Sequence, residues 1–278
     1  MTISPATRLY GVVGDPVAHS LSPLIHNRWL REAGIDAVYL GLHLQSKEAA
    51  DDLRGLARAG FLGLNVTLPH KLAALAAAVR VSPEAKAIGA ANLLSRENQA
   101  DWWAHNTDVA GFSDALEAAI GLDLRDKRIV LIGAGGAARA AAFELSKRGA
   151  ELVIVNRSKA NAEALARELA PRAETAELDA LTRLADQADV VVNATSLGHA
   201  DARLPALPAG RGRPFLDMSY GKAAQAALLA ASQAGWAGQD GLRMLVGQAA
   251  ASFHIWFGTA PDKDGALKAC QAVVAARR

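Results

Sequence analysis

The sequence predicts an α/β protein, on three observations. Short apolar runs rich in β-branched residues alternate with longer stretches of helical character along the chain. Glycines stand where helical stretches should stop, at Gly34, Gly60 and Gly149. Residues 127–158, KRIVLIGAGGAARAAAFELSKRGAELVIVNRS, read as strand, tight turn, helix and second strand.

In order, Arg8–Val13 is the first strand and ends in Gly14-Asp15-Pro16. Ser22 is expected as an N-cap, with Pro23 at the first helical position. That leaves Ser20 with a hydroxyl free of capping duty at a strand-to-helix turn. Ala37–Leu44 is a second strand and Ser46–Ala59 a second helix. A strand from Phe61 then ends in Asn65, Thr67 and Pro69, and Lys71 opens the next helix. The ends of strands are where open α/β sheets keep ligands. A cation at a helix N-terminus meets the positive end of the dipole, so something other than helix stability accounts for Lys71. Ser82-Pro83-Glu84 opens a short helix through Ile88, and Gly89–Leu94 resumes a strand. A strand near Asp101–Ala104 leads into His105-Asn106-Thr107-Asp108. Thr107 can cap the helix Asp108–Ile120, where an acid in the first turn is also favourable on dipole grounds.

Lys127–Ile132 reads as a strand buried on both faces, and Gly133–Ala138 fits G-x-G-x-x-[G/A]. Gly133 permits the tight turn, Gly135 lets backbone approach a pyrophosphate, and Ala138 lets helix pack close to strand. The helix Ala137–Arg148 points its unpaired N–H groups at the phosphates. Glu151–Val155 is the second strand of the unit. A site for NAD wants an acid at its end; Asn156-Arg157-Ser158 stands there, and a guanidinium suits a ribose 2′-phosphate. NADP is therefore expected over NAD. Helices at Lys159–Leu169 and around Leu178–Ala188 follow, then strands Asp189–Val192 and Phe215–Met218. A helix Lys222–Gln233 and an apolar helix from Met244 complete the pattern.

A chain of 278 residues is long enough for two domains or one large one. Charged residues at 21% and hydrophobic ones at 51% describe an ordinary soluble protein, and a scattered net charge of +2 gives no case for nucleic acid. The one cysteine, Cys270, excludes an internal disulfide and fits a reducing compartment, so a cytoplasmic location is expected. The uncharged stretches Ala223–Gln239 and Met244–Pro261 hold Gln, Ser and Gly and read as buried helices, not membrane spans. No signal peptide is read at the N-terminus, and the seven histidines show no ligand spacing, so no metal is expected.

The motifs HSLSP (19–23), NVTLPHK (65–71), GAANL (89–93), HNTD (105–108), GAGGAAR (133–139), NRS (156–158), NATSLG (193–198), DMSY (217–220) and DGLRMLVGQAA (240–250) run almost end to end. With them the chain resembles the shikimate dehydrogenase family. The resemblance implies two domains with a cleft between: an N-terminal α/β substrate domain and a Rossmann-type NADP-binding domain. The substrate domain would be 1–108, completed by 242–278, and the cofactor domain 109–241. The implied reaction is reversible, NADP-dependent reduction of 3-dehydroshikimate to shikimate. The family's catalytic pair falls on Lys71 and Asp108. Its substrate contacts fall on Ser20, Ser22, Asn65, Thr67, Asn92, Asp108, Tyr220 and Gln248. Its cofactor contacts fall on Gly133, Ala134, Gly135, Gly136, Ala137, Asn156, Arg157, Ser158, Asn161, Thr195, Met218 and Gly241. Leu93, Val109 and Arg243 stand where the family usually has Thr, Gly and Gly, and Asn161 where many members have a second arginine. A quinate/shikimate dehydrogenase preferring quinate, NAD or both is the near alternative, and a non-catalytic NADP sensor the distant one. A small-molecule substrate and a monomer or homodimer are expected.

Overall fold

The computed structural model describes residues 3–96, 101–121, 123–197 and 203–277. Their strands form two six-stranded sheets, in two compact units: Met1–Thr107 with Leu245–Cys270, and Asp108–Met244 with Gln271–Arg278.

In the first unit, β1 (Arg8–Gly14) leads to α1 (Ser22–Glu32), β2 (Ala37–His43), α2 (Ala49–Arg58) and β3 (Phe61–Val66). Next come α3 (Lys71–Ala77), β4 (Arg80–Val81), α4 (Pro83–Ile88), β5 (Leu93–Ser95) and β6 (Trp103–His105). The sheet order is β2-β1-β3-β5-β6-β4, with β1 parallel to both neighbours and β5 antiparallel to both of its own. Val13, Leu53, Leu64, Ala74 and Trp102 build a core under α2 and α3. Elsewhere in the unit Trp29, Tyr39 and Phe253 are buried around His26, and the Trp29 indole donates to the Asp262 carbonyl at 2.9 Å. Each such side chain contributes about 1.5–3 kcal/mol by leaving water.

In the second unit, α5 (Asp108–Ile120) precedes β7 (Arg128–Ile132), α6 (Gly136–Lys147), β8 (Glu151–Asn156), α7 (Lys159–Leu169) and β9 (Glu174–Glu177). Then come α8 (Leu181–Asp186), β10 (Val190–Asn193), β11 (Pro214–Asp217), α9 (Lys222–Gln233) and β12 (Ala237–Gln239). All five pairings are parallel, in the order β12-β11-β10-β7-β8-β9, the doubly wound arrangement. Four of the five residues of β7 are buried, as strands covered by helices on both faces require. Finally α10 (Leu242–Phe257) starts in the second unit and continues in the first, and α11 (Lys263–Ala276) runs the opposite way between them in sequence. Among the described residues no helix is long and apolar enough to cross a membrane.

Several boundaries differ from expectation. Ser22 is the first residue of α1, not its cap: the Ser20 hydroxyl accepts the Ser22 N–H at 3.2 Å, so it is Ser20 that serves the helix end. Helix α2 begins at Ala49 because Ser46 turns the chain first, accepting the Glu48 N–H at 2.9 Å. The stretch around Leu178–Ala188 splits into a 3₁₀ turn, Leu178–Ala180, and α8. Strands β4, β9 and β12 were not expected at all. Gly198, the last residue of the NATSLG motif, lies outside the described residues.

Candidate active site

In the first sheet β2 lies on one side of β1 and β3, the next strand in sequence, on the other, a topological switch point. Register pairs Val12 with Asn65 and Val13 with Val66, and the Thr67 N–H donates to the Val13 carbonyl at 2.9 Å. The carboxyl end of β3, which presents Asn65 and Thr67, therefore adjoins the end of β1, after which come Ser20 and Ser22.

A buried polar network continues from there. The Asn65 side chain accepts a hydrogen bond from the Tyr39 hydroxyl at 2.7 Å and donates to Ser252 Oγ at 2.9 Å. Asn92 donates to Thr107 Oγ1 at 3.0 Å and to Gln248 Oε1 at 3.5 Å, while its Oδ1 accepts the Thr107 N–H at 2.6 Å. The Ser252 hydroxyl donates to the Gln248 carbonyl at 2.9 Å and lies 3.0 Å from Thr107 Oγ1. Asn65, Asn92, Thr107, Gln248 and Ser252 are all buried. Thr107, expected as a helix cap, thus has its hydroxyl drawn into this network.

Lys71 joins the same region through its backbone, its carbonyl accepting the N–H of Ala91, the residue before Asn92, at 3.1 Å. It is the first residue of α3, half-buried, in a first turn with no acidic residue. His70 holds the turn before it by donating from its ring to the Leu44 carbonyl at 2.7 Å. Asp108 follows Thr107 directly, is 5% exposed, and opens α5. Tyr39 lies against His26, rings 4.2 Å apart and nearly parallel at 9°. Burial raises the Tyr39 hydroxyl well above its usual pKa, and a hydrogen bond from Ser22 opposes this. Burial also holds His26 at a pKa of about 3, so its ring is neutral, and among the described residues neither ring nitrogen has a hydrogen-bond partner.

The second unit gathers the other candidates at its own switch point, between β7 and β10. Gly133 has φ +117°, and a Cβ there would stand 2.7 Å from Thr195 Cγ2. Thr195 is fixed by donating to Asn193 Oδ1 at 2.7 Å. The Met218 N–H donates to the Asn193 carbonyl, and Gly241 packs so tightly on Met218 that a Cβ would meet its carbonyl oxygen at 2.2 Å. These contacts line up the ends of β7, β10 and β11. By contrast, among the described residues nothing lies within 4 Å of a Cβ built on Gly135. Gly136 and Ala137 are the first residues of α6. At the end of β8, Asn156 donates to the Ser158 carbonyl at 3.0 Å, and Ser158 caps α7 by accepting the Asn161 N–H. Arg157 and Asn161 are exposed. An open approach at Gly135, a twelve-residue helix N-terminus and a guanidinium in place of an acid fit a dinucleotide with a 2′-phosphate.

The structure therefore brings Ser20, Ser22, Asn65, Thr67, Lys71, Asn92 and Gln248 into one unit, with Asp108 at the first residue of the next. Tyr220, half-buried after β11, belongs with the cofactor candidates in the second unit. Tyr39 and Ser252 were not anticipated from sequence. Burial also pushes the carboxyl of Asp217, which accepts from Asn193 and the Ser219 N–H, up to about 6. A surface depression of about 510 Å³ beside α2 and α3 includes none of the candidate residues.

Three family models match: the shikimate dehydrogenase substrate binding domain over residues 12–94, shikimate / quinate 5-dehydrogenase over 115–201, and the shikimate 5'-dehydrogenase C-terminal domain over 241–271. A shikimate dehydrogenase (NADP(+)) from Hyphomonas neptunium is 48% identical over 97% of this chain and 99% of its own length. The crystal structure of shikimate dehydrogenase from Aquifex aeolicus superposes with a TM-score of 0.87 at 33% identity, covering 96% of this chain and 98% of that one. A shikimate 5-dehydrogenase from Thermus thermophilus, in complex with NADP(H) and shikimate, gives a TM-score of 0.80 at 36% identity over 95% and 99% of the two chains.

Proposed function

The chain belongs to the shikimate dehydrogenase family, and we propose that it catalyses the reversible, NADP-dependent reduction of 3-dehydroshikimate to shikimate with Lys71 as the acid. The observation that carries the mechanism is the position of Lys71: first in its helix, against the dipole, and tied through its backbone to Ala91, next to Asn92 and just before β5. When bound, NADPH supplies the hydride that adds to the C3 carbonyl carbon. The Lys71 ammonium gives its proton to the oxygen that becomes alkoxide, and its charge stabilises that oxygen as negative charge develops. Asp108 orients the ammonium and accepts from the reacting hydroxyl. Ser20, Ser22, Asn65, Thr67, Asn92, Tyr220 and Gln248 hold the polyol and carboxylate through short hydroxyls and amides of fixed geometry.

We assign substrate binding to residues 1–108 with 242–278, and cofactor binding to 109–241. In the latter, Gly133, Ala134, Gly135, Gly136 and Ala137 would hold the pyrophosphate, with Asn156, Arg157, Ser158 and Asn161 at the adenosine ribose. Thr195, Met218 and Gly241 complete the pocket. The absence of an acid at the end of β8 favours NADP over NAD. The enzyme is assigned to the cytoplasm, as a monomer or homodimer; the single, buried Cys270 supports the location.

Replacing Lys71 with Ala should lower kcat about 100-fold or more, the scale of general acid catalysis, with a smaller change in KM. Near-normal turnover would remove Lys71 from the mechanism. Assays of shikimate and quinate with each cofactor test the rest: kcat/KM should be highest for shikimate with NADP.

A further inference from the structure

We propose that Tyr39 and Ser252 are positioning residues for the substrate, acting through Asn65, whose carboxamide they clamp from its two ends. This rests on the reading of Asn65 as a substrate contact. A primary amide has an acceptor end and a donor end, and a half-turn about its last torsion exchanges them. Here each end is committed. Oδ1 accepts from Tyr39 Oη at 2.7 Å, and Nδ2 donates to Ser252 Oγ at 2.9 Å.

The polarity of that clamp is itself fixed. Ser252 spends its proton on the Gln248 carbonyl at 2.9 Å, one turn earlier in α10, so it offers Asn65 lone pairs. A reversed amide would set oxygen against those lone pairs. At the other end Tyr39 Oη directs its own proton to Asn65 Oδ1. The phenol ring is held flat against His26 at 4.2 Å. Asn65 and Gln248, two of the substrate residues, are thus joined through Ser252, which need not touch substrate. What remains to Asn65 for a ligand is one lone pair and one N–H, the latter only loosely held by the Asn92 carbonyl at 3.4 Å. Fixing which end presents which group is what recognition of a hydroxyl requires.

The test is steady-state kinetics of shikimate oxidation with Tyr39→Phe, Ser252→Ala, Asn65→Ala, and each of the first two combined with the third. Tyr39→Phe and Ser252→Ala should each raise KM for shikimate roughly tenfold, the scale of one mis-set buried hydrogen bond. KM for NADP should stay at the parent value. In the Asn65→Ala background neither should have a further effect, as expected of residues that act through one group. Four results would overturn the inference: parent-like KM for shikimate in both single variants, fully multiplicative effects in the doubles, a parallel rise in KM for NADP, or no effect of Asn65→Ala. Only the last also removes Asn65 from the substrate site. Tyr39→Phe deletes a single oxygen, so its cycle decides the matter even if Ser252→Ala does not fold.

Discussion

Arg157 stands exposed at the end of β8 where an acid would select NAD, and the next carboxylate along the chain, Glu163, pairs with Lys159 at 3.9 Å inside α7. A planar, permanently charged fork suits a 2′-phosphate and has no partner of that charge in NAD. Arg157→Ala should therefore raise KM for NADP about tenfold or more and leave KM for NAD within twofold, the scale of one charge-assisted hydrogen bond. Equal weakening of both would refute the pairing. At this scale the polar residues at strand ends were legible from sequence. Asn65, Thr67 and Asn92 interrupt apolar runs, and Lys71 opposes a dipole. Tyr39 and Ser252 were not. Tyr39 sits in AVYLGLH, where an aromatic is an ordinary strand residue, and Ser252 in an apolar helix, where a small residue reads as packing. Their meaning lies in hydroxyls whose partners are 26 and 187 residues away. Only the spacing of Gln248 and Ser252, i and i+4 on one helix face, hinted at a connection.

At the scale of elements, the glycine turn after β7 separates two functions that its motif confounds. Gly133 is left-handed at φ +117° and faces Thr195, so an alanine there meets both strain and a side chain at 2.7 Å. Gly135 has an extended backbone, and its Cβ direction is open. Gly133→Ala should cost about 1–3 kcal/mol in urea unfolding as well as cofactor affinity. Gly135→Ala should leave the unfolding midpoint nearly unchanged while raising KM for NADP severalfold, because its methyl group occupies the approach a pyrophosphate needs. Loss of stability in Gly135→Ala, or unaltered KM, would contradict this division. The longer elements were legible because periodicity and caps agree: α7 and α9 begin and end as expected, and Ser82 caps α4 by accepting the Ala85 N–H at 3.1 Å. The missed strands are short and carry little pattern. Glu174–Glu177 has no apolar alternation and becomes a strand only because β8 offers an open edge; Ala237–Gln239 does so beside β11.

Across the whole molecule, one buried group in each unit should answer acidification with opposite sign. In the first, burial holds His26 near 3 in the folded state, against an ordinary value of 6.5. The unfolded chain takes up that proton first, so the contribution is intact above about pH 6.5 and is lost as pH falls toward 3. In the second, Asp217 is raised from 3.8 to about 6. Here the folded state protonates first: the cost of the buried charge is full above about pH 6 and is relieved as pH falls toward 4. Between pH 4 and 6 both groups act, each on the order of 3–5 kcal/mol at full shift. Hydrogen exchange, corrected for intrinsic rates and read strand by strand at pH 5 and 7, distinguishes them. His26→Phe keeps a ring to stack on Tyr39 and should increase protection of β1 and β3 over the parent more at pH 5 than at pH 7. Asp217→Asn keeps one acceptor oxygen and should increase protection of β7 and β8 more at pH 7 than at pH 5. If either variant keeps the parent's pH dependence, the buried group it removes is not what sets that unit's response to acid.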